Sequence, residues 1–168
     1  MKQFLCGVVA ALVVLPMAAL AYWLSGTEET RSDAKPPAWE SMVLGPAVRA
    51  AVRRGARGLS APPAANEEAI VAGGKLYMAG CAGCHGEPGK PYHEEEAHYP
   101  SVPQLPHSGS QYSEGEIAWI IKHGIRMTGM SAYGPFYKEN EVWALAAFVR
   151  RINTLSAEEI AAIQPKKQ

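Results

Sequence analysis

Residues 80–86 read Gly-Cys-Ala-Gly-Cys-His-Gly, and no other stretch of the chain constrains its fold as tightly. Cys81 and Cys84 are two of only three cysteines in 168 residues, and His85 follows the second directly. Whatever fold the chain adopts must deliver two thiols and an imidazole to one spot and surround that spot with enough packed structure to use them.

The compartment is written at the start of the chain. Phe4 to Leu24 form an apolar run without a charge, preceded by Lys2. As a helix this run is roughly 30 Å long, the thickness of a bilayer core. A secretory signal is the rival reading, with Phe4 to Leu15 as the apolar region, Pro16 as a breaker and Ala19-Leu20-Ala21 as a cleavage site. Under either reading the remainder of the chain is exported. The run continues through Tyr22 and Trp23, residues suited to a membrane interface, which favours an uncleaved anchor. Cys6 sits inside the run as a small apolar residue.

Beyond it the chain divides at residues 25–65, 66–155 and 156–168. "SGTEETRSDAKPP" is too polar to fold alone and reads as a tether. Arg49, Arg53 and Arg57 then recur every four residues, with Arg54 beside them, on a helix whose apolar side holds Val48, Ala51 and Val52. That helix reads either as a solvated linker or as a surface-lying helix touching anionic lipid or a partner.

From Asn66 the pattern becomes regular and helical. Asn66 caps a helix opened by Glu67 and Glu68 that carries Ile70, Gly73 and Tyr77 into the cysteines. A long Pro- and Gly-rich loop comes next, too irregular in composition for regular structure. Ser113 and Glu116 predict a capping box for a helix burying Ile117, Ile120 and Ile121 and stopping at Gly124. A second loop leads to a helix with Val142, Leu145, Ala146 and Val149 on one stripe, and Ser156 with Glu159 predict a short helix in the tail. No segment alternates at the strand period, so the fold class is all-α. Sixteen basic residues balance sixteen acidic ones, which gives no field for nucleic acid. Residues 66–155 are slightly acidic, with seven Lys or Arg against ten Asp or Glu.

Three chemistries use two cysteines separated by two residues. Dithiol exchange needs a βαβ setting, and zinc needs further ligands at matching spacing, whereas His93, His98, His107 and His123 are scattered. The acidic stretch from His93 to His98 reads as a solvated loop. Covalent haem attachment uses all three residues at once. Two intervening positions let both sulfurs reach the vinyl groups of one haem as thioethers, and the adjoining imidazole lies beneath the iron. The cofactor expected is a single haem c.

"GGKLYMAGCAGCHG", "YPSVPQL", "WIIKHGIRMTGMSAYG" and "EVWALAAFVRRI" together resemble the class I c-type cytochromes, in particular small membrane-anchored monohaem cytochromes of bacteria. The resemblance implies three to four helices wrapped around the haem, with Cys81 and Cys84 as thioether residues, His85 as proximal ligand and Met130 of Thr128-Gly129-Met130 as distal ligand. It implies that the Pro103 carbonyl accepts a hydrogen bond from the His85 imidazole, and that Gly73 lets the last helix cross closely beside Phe148. Ser131 departs from the family, which has proline after the methionine.

Met127 is the rival thioether and reads as an ordinary apolar side chain near the helix end. Trp119, Trp143, Tyr99 and Tyr133 read as core, and Lys122 and Arg126 as surface charge. With both axial positions filled, the expected function is one-electron transfer between redox proteins on the periplasmic side of the inner membrane, with no small-molecule substrate. The alternatives are a subunit of a larger oxidase or dehydrogenase, or a haem enzyme or gas sensor if methionine does not ligate.

Overall fold

The computed structural model describes residues 1–27, 29–62, 66–92 and 98–164. The stretch 93–97, with His93, and the end of the tail lie outside the described residues. Among the described residues every regular element is helical. Helix α1, Lys2–Leu24, is apolar on all sides and fully exposed, with a mean hydropathy of 2.6 over its best window. At about 35 Å it is long and apolar enough to cross a membrane.

Helices α3 (Glu67–Gly80), α6 (Glu114–His123) and α7 (Glu139–Arg151) make the core. Each begins where its sequence says it should. The Asn66 side chain accepts from the Ala69 N–H at 2.9 Å. Ser113 Oγ accepts from the Glu116 N–H, and the Glu116 carboxylate from the Ser113 N–H. The Lys138 N–H donates to the Glu141 carboxylate at 2.7 Å. Two of the first backbone donors of α6, which have no partner within the helix, are satisfied in this way. Gly124, with φ at 67°, ends α6 in a conformation that a side chain would strain.

Helix α7 buries Val142, Leu145, Ala146, Ala147, Phe148 and Val149, and packs on α3 and α6. Tyr77, Phe148 and Leu145 are completely buried. Removing each from water is worth about 1.5–3 kcal/mol. Ile120, expected in the core, is only half-buried, whereas Ile117 and Ile121 are buried. The crossing of α3 and α7 uses two glycines rather than one. A Cβ on Gly73 would run into the Ala144 carbonyl and lie 3.0 Å from the Leu145 nitrogen, and one on Gly74 would lie 2.8 Å from the Phe148 ring. Phe148 therefore meets Gly74, while Gly73 admits the α7 backbone itself.

After a 3-10 turn, Ile152–Thr154, helix α8 (Ala157–Ile163) folds back and buries Ile163 against α3. The long loop after the cysteines is not wholly irregular. It contains a one-turn helix α5, Leu105–Ser108, with a proline in its first turn.

The basic segment forms helix α2, Ala38–Gly55, and its second half packs on α6. Val52 is fully buried, Gly55 lies against Trp119, and the Leu59 carbonyl sits beside Gly115. In the polar stretch before it, the Ser32 carbonyl accepts from the Tyr99 N–H at 2.8 Å.

Candidate haem site

Helix α3 delivers the motif. Its last turn runs into Cys81, whose N–H donates to the Tyr77 carbonyl at 2.8 Å. The one-turn helix α4, Ala82–His85, comes next, with the N–H groups of Cys84 and His85 both returning to the Cys81 carbonyl. Cys81 and Cys84 thus sit three residues apart on a single turn, a spacing that puts both sulfurs on one side. Ala82 and Gly83 are small, and Gly83 has open space around it, so nothing bulky stands between the thiols. Cys81 is half-buried and Cys84 exposed. Burial, and secondarily the neighbouring Cys84, push the Cys81 thiol up to about 11.

Three consecutive residues of the motif are each held from a distance. The Gln104 amide donates to the Cys84 carbonyl at 3.0 Å. His85 Nδ1 lies 3.0 Å from the Pro103 carbonyl oxygen. The Tyr77 hydroxyl donates to the Gly86 carbonyl at 2.7 Å. Burial, then the proximity of Cys81, raises the Tyr77 hydroxyl well above its ordinary value, so it remains a donor at neutral pH. A carbonyl can only accept, which makes His85 Nδ1 the protonated nitrogen and leaves the Nε2 lone pair free to bind a metal.

Met130 stands on a separate loop. The Ile125 N–H donates to the Met130 carbonyl at 3.0 Å, the Thr128 hydroxyl to the Ile125 carbonyl at 2.7 Å, and the Met130 N–H to the Thr128 hydroxyl at 3.1 Å. This closes a tight loop on the end of α6. Met130 is half-buried, whereas Met127 is 93% exposed with φ at 58°. The loop then returns along α6, where the N–H groups of Tyr133 and Gly134 donate to the carbonyls of Ile121 and Lys122. Tyr133 stacks on Tyr137, centroids 5.8 Å apart, and the Tyr137 hydroxyl lies beside Gly80 at the threshold of the motif. Cys81, Cys84, His85 and Pro103 therefore form one cluster, and the tyrosine pair connects it to the loop that bears Met130.

This donor set fits a haem c: two thiols on one turn, an imidazole with a free Nε2, and a half-buried thioether on a hydrogen-bonded loop. Half-buried Leu105, Tyr112, Tyr133 and Tyr137 pack against the core and leave part of their apolar surface open. The family model described as cytochrome c oxidase, cbb3-type, subunit III matches residues 68–149. Over this span the chain is a class I c-type cytochrome. No curated protein and no solved structure matches. The cytochrome match starts in the first turn of α3 and ends in the last turn of α7, so it takes in the motif, Pro103 and Met130 and leaves out α1 and α2.

Gln104 and Tyr77 hold the cytochrome motif in place, yet no sequence pattern marks either for this task. Gln104 is the middle residue of the Pro103-x-Leu105 stretch and is only 6% exposed, an unusual depth for a glutamine. His98 is a further addition, its ring packed against Gly129 beside Met130. Trp119 serves the contact with α2, Trp143, Tyr99 and Tyr133 are half-buried, and Arg126 is exposed. Lys122 pairs with Glu139 at 3.0 Å across the surface between α6 and α7.

Proposed function

We propose that this cytochrome is a one-electron carrier that holds a single haem c and works between redox proteins at the periplasmic face of the inner membrane, tethered there by α1. The observation that carries the reading is the His85–Pro103 hydrogen bond. It fixes the imidazole tautomer and its rotation, and it raises the electron-donating strength of Nε2. A bound haem supplies one-electron cycling of its iron. Cys81 and Cys84 would hold it as thioethers, and His85 and Met130 would ligate its iron. With His85 and Met130 both bound to it, the iron would keep no position for a small molecule, and the methionine thioether would favour a raised reduction potential. The single C-x-x-C-H in the sequence supports one haem, and the long apolar α1 supports attachment to the membrane.

A second reading, a subunit docked within a larger oxidase, draws support from the description of the matching family model. The test of the principal reading is direct. Haem should stay with the polypeptide on a denaturing gel, redox titration should follow a single one-electron curve, and detergent should be needed for extraction. Complete removal of haem by acidic acetone, or rapid binding of carbon monoxide by the native ferrous protein, would overturn it. Purification only as part of a larger assembly would select the second reading.

A further inference from the structure

Helix α2 has two sides of different chemistry. At about 3.6 residues per turn, Val48, Val52 and Gly55 share one side. That side faces α6, with Val52 fully buried and Gly55 against Trp119. The opposite side carries Trp39, Met42 and Val43 in the first half of the helix and Arg49 and Arg53 in the second. Arg54 lies beside them, and Arg57 lies in the turn after the helix. Trp39, Met42 and Val43 are 45%, 70% and 54% exposed. Arg53 touches Glu116 only at 3.9 Å and its side chain is 74% exposed, so it remains open to another anion. Between Glu40 and Glu67 the sequence contains no carboxylate.

Helix α1 ends at Leu24 and α2 begins at Ala38. The residues between, 25–37, span up to roughly 45 Å when extended. The first half of α2 is therefore within reach of any bilayer that α1 crosses. An exposed tryptophan-bearing apolar strip, with one carboxylate in the half-buried Glu40 beside Trp39, that runs on into arginines with no further acidic residue before Glu67 is complementary to an anionic lipid surface. The apolar side chains enter the acyl boundary and the guanidinium groups pair with phosphates.

We infer that this side of α2 lies on an anionic lipid surface and, because the other side is fastened to α6, sets the orientation of the cytochrome domain on the membrane. The inference rests on α1 being an anchor. Lipid is favoured over a protein partner by the short tether to the anchor and by the uninterrupted basic stretch.

The test uses the full-length haem-loaded protein with Cys6→Ser and Met42→Cys, a nitroxide spin label being attached at position 42. It is placed in nanodiscs of phosphatidylcholine with phosphatidylglycerol, and in others of phosphatidylcholine alone. Collisions of the label with oxygen, which is enriched in lipid, are compared with collisions with a water-soluble nickel chelate. Oxygen should be favoured in the anionic discs, and the preference should be lost in the neutral ones. Each arginine near an anionic surface strengthens attachment roughly fivefold. Arg49→Gln, Arg53→Gln, Arg54→Gln and Arg57→Gln together should therefore abolish the preference while leaving the haem spectrum unchanged. If that variant loses its haem spectrum, the comparison of the two lipids with all four arginines intact decides alone. Equal access to the nickel chelate in both lipids overturns the inference. So does a label shielded only after solubilised membrane proteins are added, which would make this side a protein interface. Haem that fails to co-elute with the discs overturns the anchor reading and this inference with it, a result distinct from an exposed label on anchored protein.

Discussion

Gly55 places its bare α-carbon against the indole of Trp119, so close that the Cβ of any other residue would lie within 2.7 Å of the ring. The ring also packs on His123, with centroids 5.0 Å apart. The end of α2 and the middle of α6 are joined at a point that tolerates no added atom.

Gly55→Val should therefore lift the end of α2 away and expose Val52, at a cost of about 1–3 kcal/mol. Hydrogen exchange would register this as faster exchange over the second half of α2 and at Leu59. The haem spectrum should be unchanged, because the motif is held by Tyr77, Pro103 and Gln104 instead.

The two neighbouring glycines of α3 should respond differently. Gly→Ala within a helix ordinarily gains roughly 1 kcal/mol. At Gly73 the added methyl meets the backbone of Ala144 and Leu145, which cannot yield, so Gly73→Ala should lose about 1–2 kcal/mol net by urea unfolding. At Gly74 the neighbours are side chains of Ile163 and Phe148, and Ile163 belongs to the short α8, which can shift. Gly74→Ala should come out near balance.

The two methionines of the second loop separate cleanly. Met130→Ala should remove the weak long-wavelength sulfur-to-iron absorption of the ferric protein, lower its reduction potential and admit carbon monoxide. Met127→Ala should leave all three unaltered, since the Met127 side chain is almost wholly in solvent. The reverse pattern would transfer the ligand role to Met127.

Acid should loosen α8. The Ser156 backbone N–H, then the Ser156 hydroxyl and Arg151, hold the Glu159 carboxyl below its ordinary value of 4.5. A lowered folded-state value means that the stabilisation is complete above pH 4.5 and is lost as pH falls through the folded value. Glu159→Gln should lower stability near neutrality and flatten the acid limb of the stability profile, as followed by thermal unfolding between pH 3 and pH 7.

Helix starts are the most legible part of the chain, because Asn66, Ser113 and Ser156 act on backbone donors three residues away. The stripe of α7 is legible for the same local reason. The features that the sequence does not reveal depend on partners distant along the chain. The Gln104 amide finds Cys84 twenty positions earlier, and Gly55 finds Trp119 only after the fold has brought α2 and α6 together. Within the candidate site, the setting of His85 beside Pro103 is expected from the family resemblance and appears in the structure at hydrogen-bond distance. Met127 in a left-handed turn has no sequence signal, since glycine or asparagine would ordinarily mark such a position.

Because α3, α6 and α8 are each begun by a neighbouring side chain, their registers are set by local contacts and not by distant ones. Helices this short are marginal in isolation, so the caps decide where a helix begins and not whether it lasts. The unfolded polypeptide thus has little to search along its own length. The remaining task is a docking problem among a few rods whose starting points are already agreed, and the crowded glycines at 55, 73 and 74 allow that docking to close in one arrangement.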